Sequence, residues 1–267
     1  MRKQQRYDKT IEALNAFYPN AETELKYQSP FQLLVAVILS AQCTDKRVNM
    51  VTPALFERYP NAASMALASE QDLFELIKSI SYPNAKSKNL LKMARRLNDV
   101  YKGEVPQERK DLESLAGVGR KTANVILAVL FDQNVMPVDT HVHRVSRRIG
   151  LSKNAKTPAE TEKQLMEVLS ERNDIALLHH QLILLGRYVC KARKPLCESC
   201  PLTDCCKFYL SKLSKQKAVG GFRIIKISIL FCRSWSSKSQ RGRSPLQARS
   251  DCIQGFFESL QAVFPCR

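Results

Sequence analysis

Lys121 follows a tight glycine turn, Leu115-Ala116-Gly117-Val118-Gly119-Arg120-Lys121-Thr122, set between two helical patterns. A lysine amine attacks an electrophilic carbon, such as that of a sugar, when part of it is unprotonated near neutral pH. The adjacent Arg120 and the positive end of the following helix both disfavour the ammonium form. Such an amine needs a carboxylate partner, and Asp139 in Pro137-Val138-Asp139-Thr140-His141-Val142-His143-Arg144 stands just ahead of another helical stretch. Asp139 also reads as a plain N-cap, and the two roles are compatible. Gly117 and Gly119 let backbone N–H groups turn outward with no Cβ in the way, beside a helix N-terminus, which makes the turn an anion site. The plainer alternative is a helix-to-helix turn with Lys121 as a surface cation. The spacing of a P-loop and its preceding strand are both absent.

Cys190-x6-Cys197-x2-Cys200-x5-Cys206 places four thiolates on a short irregular loop, enough for a [4Fe-4S] cluster or a tetrahedral zinc. Only Cys197 and Cys200 have knuckle spacing, which tilts the reading toward iron and sulfur. Cys205, beside Cys206, is a competing ligand.

The elements that must position these groups read as helices from Lys9 to about Tyr188, with no period-2 strand. Ser29-Pro30 caps an apolar run, Phe31 to Leu39, whose hydrophobic residues face every side, so this helix is central and buried. Ser69 and Asp72 form a capping box ahead of Leu73 to Ile80. Asn84 caps a long helix whose inner face carries Leu90, Leu91, Ala94, Leu97 and Tyr101, and Gly103 ends it. Thr157-Pro158-Ala159-Glu160 is another capping box. The expected product is an all-α protein of about ten helices.

The chain has 267 residues, 44% hydrophobic and 25% charged, so it is neither disordered nor fibrous, and its core is large enough to hold without disulfides. The longest apolar stretch falls far short of the about 20 residues of a membrane span. The charged start, Met1 to Arg6, resembles no secretion signal, and a cytoplasmic setting in the bacterial cytosol or nucleoid is expected. A net charge of +17 suits a polyanionic partner, since each neutralised phosphate releases a counterion. Residues 213 to 267 hold ten Lys and Arg against two Asp and Glu, and turn rich in Ser, Arg and Gln. They form a separate basic tail with one strand-like run, Ile224 to Phe231.

Taken together, Leu39-Ser40-Ala41-Gln42-Cys43-Thr44-Asp45, the glycine turn through Ala123, Val138 to Val145 and the cysteine loop resemble the endonuclease III family of base-excision DNA glycosylases, within the helix-hairpin-helix superfamily. The resemblance covers residues 1 to about 212. It implies a two-lobed, all-α fold with double-stranded DNA lying across the cleft. One lobe is a helical barrel, approximately 25–135, and the other carries the cluster, approximately 1–24 and 136–212. It implies that Lys121 attacks C1′ of a damaged nucleotide, expels the base and forms a Schiff base, after which β-elimination nicks the strand. Asp139 would stabilise positive charge developing on the sugar. Gln42 matches a residue that fills the gap left by the flipped base. Gly117, Gly119 and Arg120 would meet the DNA backbone, as would Lys191, Arg193 and Lys194. Cys190, Cys197, Cys200 and Cys206 would hold a structural [4Fe-4S] cluster. The implied substrates are oxidised pyrimidines and abasic sites, met by a monomer.

Ala116 departs from the proline common at this turn, which costs rigidity and little chemistry. The tail matches nothing in the family, and its composition favours an accidental extension over a DNA-contacting arm. An adenine-mismatch glycosylase without lyase activity and a noncatalytic DNA-binding module are the competing readings. Lys121 argues against the first, and Lys121 with Asp139 against the second.

Overall fold

The computed structural model describes residues 1–215. Met1–Phe208 form one compact unit, and residues from Tyr209 belong to a second. The strand-like run at 224–231 and most of the basic tail lie outside the described residues. Among the described residues there is no strand; eleven α-helices precede the cysteine loop, and residues 207–215 after it are helical as well. In chain order the eleven are α1 Lys3–Phe17, α2 Pro30–Ser40, α3 Asp45–Arg58, α4 Ala62–Ala66, α5 Glu70–Ile77, α6 Pro83–Tyr101, α7 Arg109–Glu113, α8 Arg120–Leu130, α9 Thr140–Ile149, α10 Pro158–Leu169 and α11 Ile175–Leu184. No helix among them is long and apolar enough to cross a membrane.

Two hydrophobic cores organise the first unit. One gathers buried residues from Leu25 to Leu127, with α2 at its centre; the other joins Tyr7, Ile11 and Leu14 of α1 to residues between Met136 and Cys205. Every residue from Phe31 to Leu39 is buried, so α2 is covered on all sides by its neighbours, as its unbroken apolar run requires. The Ser29 hydroxyl accepts from the Gln32 N–H, and Pro30 occupies the first helical position, where its missing donor costs nothing. The Tyr7 hydroxyl donates to the Leu151 carbonyl at 2.9 Å and fastens α1 to the second core.

The capping signals resolve with three adjustments. At α5 the Ser69 hydroxyl accepts from the Asp72 N–H but donates to the Asp72 carboxylate, so the reciprocal box is replaced by a closed side-chain pair. At α10 Thr157 caps the Glu160 N–H, while the Glu160 carboxylate reaches the Lys156 N–H one residue further out. At α6 the cap is Tyr82, not Asn84. Tyr82 adopts a left-handed conformation, and the fixed φ of Pro83 starts the helix two residues earlier. Lys102 and Gly103, both at positive φ, then end it, with the Gly103 N–H returning to the Leu97 carbonyl.

Candidate active site and cysteine loop

α7 and α8 are joined by the glycine turn, and Gly119 is the N-cap of α8. A glycine cap has no side-chain acceptor for the first-turn N–H groups, so these stay available to an external anion. Gly117 sits at φ +83°, and a Cβ there would stand 3.2 Å from Asn89 Cβ and 3.3 Å from Ile38 Cγ2. A Cβ on Gly119 would meet nothing within 4 Å, so that side of the turn is open. Lys121, in the first turn of α8, is exposed.

Asp139 is the N-cap of α9, its carboxylate accepting from the Val142 N–H at 2.8 Å. It remains half-buried, and with Lys121 it lines one cavity of about 60 Å³. The walls come from residues 22–25, from Val37 and Ser40 of α2, from Asp45, and from His179 to Arg187. At that size it holds a couple of waters. A larger hollow of about 560 Å³ shares Glu22, Thr23, Leu25 and His180 with it but contains neither Lys121 nor Asp139. The two side chains marked in the sequence, Lys121 and Asp139, therefore meet in the smaller space.

Arg120 is not free to act on its neighbour as the sequence suggests. Its guanidinium makes a two-point ion pair with Glu162 of α10, at 2.9 and 2.8 Å, and this bonding raises its pKa further. The charge beside Lys121 is thus locally compensated, with Nε and Nη2 taken up by the carboxylate while the side chain stays 55% exposed. Gln42 lies exposed in the turn after α2, at φ +55°.

Beyond α11 the chain makes a π-helical turn, Leu185–Val189, and enters the cysteine loop. A Cβ on Gly186 would lie 2.9 Å from His141 Cβ, so only glycine lets this turn pack on α9. From α9, Arg144 donates to the Gly186 carbonyl, and Arg148 donates to the Lys191 and Ala192 carbonyls at 2.7 and 2.9 Å. Arg148 also donates to Cys190 Sγ at 3.4 Å. Burial pushes the Cys200 thiol up to about 11, with the thiols of Cys206, Cys190 and Cys197 adding to the rise. The other three thiols of the loop therefore lie near enough to be felt at Cys200. Among the described residues, no three His, Cys, Asp or Glu side chains are gathered closely enough to grip an ion. Cys205 faces elsewhere: buried, it meets the Thr10 hydroxyl at 3.8 Å and the Leu202 carbonyl. Lys191, Arg193 and Lys194 are exposed on the loop, with Lys194 in a left-handed conformation.

Residues 35–171 match the model of the HhH-GPD superfamily of base excision DNA repair proteins. Endonuclease III of Rickettsia felis is 45% identical over 206 residues, covering 77% of this chain and 96% of that protein. Endonuclease III of Synechocystis sp. is 46% identical over 209 residues, covering 76% and 93%. A solved endonuclease III, trapped as a covalent intermediate with DNA, superposes with a TM-score of 0.75 at 40% identity, covering 80% of this chain and 100% of its own. The chain belongs to the endonuclease III family. It is accordingly a base-excision DNA glycosylase and abasic-site lyase.

Three features of the structure escape a reading of motifs. Arg187 pairs with Asp45 at 2.7 Å and with Glu24, joining the π-helical turn to α3 and to the segment before α2 at the cavity wall. His179 is buried in that wall, and desolvation holds its pKa well below the ordinary imidazole value, so it is neutral. Lys86 is buried, its pKa lowered by desolvation, and donates to the Leu39 and Ala41 carbonyls. The glycine turn allows a direct test. Gly117→Ala is expected to destabilise the fold by about 1–2 kcal/mol, from the left-handed backbone and the Asn89 contact, measured by denaturant unfolding.

Proposed function

We propose that this protein removes oxidised pyrimidines from double-stranded DNA and nicks abasic sites, acting as a monomer in the bacterial cytosol. The observation that carries the reading is the shared cavity of Lys121 and Asp139, each placed by the first turn of its own helix. The target base leaves the stack, because its sugar carbon is unreachable inside the duplex. The Lys121 amine forms a bond to C1′ while the bond from C1′ to the base nitrogen breaks, and the base departs with that electron pair and takes up a proton. Ring opening gives an iminium ion. Loss of a C2′ proton then breaks the C3′–O bond, and hydrolysis returns the amine. The Asp139 carboxylate stabilises the positive charge that develops on the sugar. The open side of Gly119 and the basic side chains Lys191, Arg193 and Lys194 hold the DNA backbone without reading sequence, and Gln42 fills the vacated gap. A structurally similar endonuclease III has been trapped covalently on DNA, which supports the lysine chemistry.

Cys190, Cys197, Cys200 and Cys206 would hold a [4Fe-4S] cluster, which when bound cross-links the loop. The donor set fits: four soft thiols on one loop, with Arg148 beside one of them. Because Cys205 faces Thr10, Cys206→Ala is expected to lose iron, and Cys205→Ala to retain it. Iron and acid-labile sulfide assays on the purified proteins decide this, and the opposite pattern would reassign the fourth ligand. The activity itself is tested by borohydride trapping on a duplex with a single thymine glycol. A covalent protein–DNA band is expected, with release of the base and a nick 3′ to the lesion. Base release without a band would make the protein monofunctional.

A further inference from the structure

Lys86 holds a charge where charge is costly. The residue is 6% exposed, and its ammonium donates to two backbone carbonyls, Leu39 O at 2.9 Å and Ala41 O at 2.6 Å. Buried ammonium groups persist where acceptors meet their donors, and here two of the three N–H donors meet carbonyls at the negative end of α2. The end of that helix can be followed carbonyl by carbonyl. Val37 O accepts from the Ser40 hydroxyl, Ile38 O from the Ala41 N–H, and Ser40 O from the Cys43 N–H. Leu39 O and Ala41 O go to Lys86. The next residue is Gln42, held at φ +55°, a conformation that a residue with a Cβ keeps only when its surroundings impose it.

One turn further along the same face of α6 stands Asn89, whose side chain closes on Gly117 together with Ile38 of α2. A single face of α6 therefore touches both the Gln42 turn and the glycine turn. We infer that Lys86 is a positioning residue: it locks the Gln42 turn against α6 and so fixes the distance between the gap-filling side chain and the phosphate-binding turn. This rests on the reading of Gln42 and the glycine turn given above. A side chain that must enter the duplex as the base leaves gains from being aimed in advance, and small misplacements are expensive.

The test uses the full chain with Lys86→Met, Gln42→Ala and the double variant. The substrates are a thymine glycol duplex carrying 2-aminopurine in the opposite strand beside the orphaned base, and a single-stranded abasic oligonucleotide, which has no gap to fill. Lys86→Met is expected to slow single-turnover base release in the duplex about tenfold and to reduce the 2-aminopurine change as Gln42→Ala does, with single-strand trapping within about twofold of wild type. The double variant should be no slower than the slower single variant, since both act through one contact. A defective Gln42→Ala beside a normal Lys86→Met would overturn the role of Lys86 alone. A normal Gln42→Ala would overturn the gap-filling reading and the inference with it. Equal losses on both substrates would make Lys86 merely structural. If Lys86→Met does not fold, Lys86→Gln, which keeps an N–H donor on a shorter arm, is read in the same way.

Discussion

Lys121→Ala is expected to abolish the borohydride-stable adduct and to slow strand cleavage by about 10⁴-fold or more, because the proposed mechanism forms the Schiff base on this amine. The fold should not change. Lys121 is exposed in the first turn of α8, its side chain supports no core contact, and alanine is the best helix former. Binding should survive as well, since one cation among several contributes only part of the phosphate attraction. Its loss should reduce the salt dependence of binding by about one counterion. The informative measurement therefore pairs trapping with a binding titration on the same thymine glycol duplex. A variant that binds and does not trap confirms the amine as nucleophile. Cleavage at the wild-type rate would remove Lys121 from the chemistry and leave the glycine turn as a docking element.

Much of the scaffold was legible because its signals are local. Ser29 with Pro30, Thr157 with Pro158, and Asp139 all announce helix starts within four residues, and the structure places a helix after each. The uniform apolar run of α2 told of burial on every side, which is what a helix at the centre of the first core demands. Asn84 misled because a good capping residue directly follows Pro83, which is the true first helical position, and nothing local marks the left-handed Tyr82 as the cap. Other features have no local trace at all. Arg120 is drawn to Glu162 from 42 positions away, so a cation that looked aimed at Lys121 is instead neutralised. Lys86 reaches carbonyls 45 and 47 residues upstream, and Arg187 reaches Asp45 and Glu24 across the cavity. The two adjacent cysteines were indistinguishable by spacing and separate only once α1 brings Thr10 against Cys205. Local chemistry is written in short motifs, whereas the partner that tunes or aims it is chosen by tertiary packing.

Asp139 is where local role and chemistry can be separated cleanly. As an N-cap its carboxylate accepts one hydrogen bond from Val142, and an asparagine side chain accepts the same bond with nearly the same preference. Asp139→Asn is therefore expected to unfold within about 0.5 kcal/mol of wild type. The negative charge is a different matter. In a small, half-closed cavity facing a sugar that is becoming positive, a fixed carboxylate acts most strongly in the transition state, and removing it should slow base release about 10²- to 10³-fold. The loss should be smaller on a preformed abasic site, where no base has to be expelled and the amine meets an aldehyde. Single-turnover rates on thymine glycol and abasic duplexes, with an unfolding curve of the same preparation, measure all three quantities. A slow, fully stable variant with its larger defect on the intact lesion establishes electrostatic assistance to base expulsion. Equal defects on both substrates would move the carboxylate to a step they share, such as setting the protonation of the amine, and normal turnover would leave Asp139 as a helix cap.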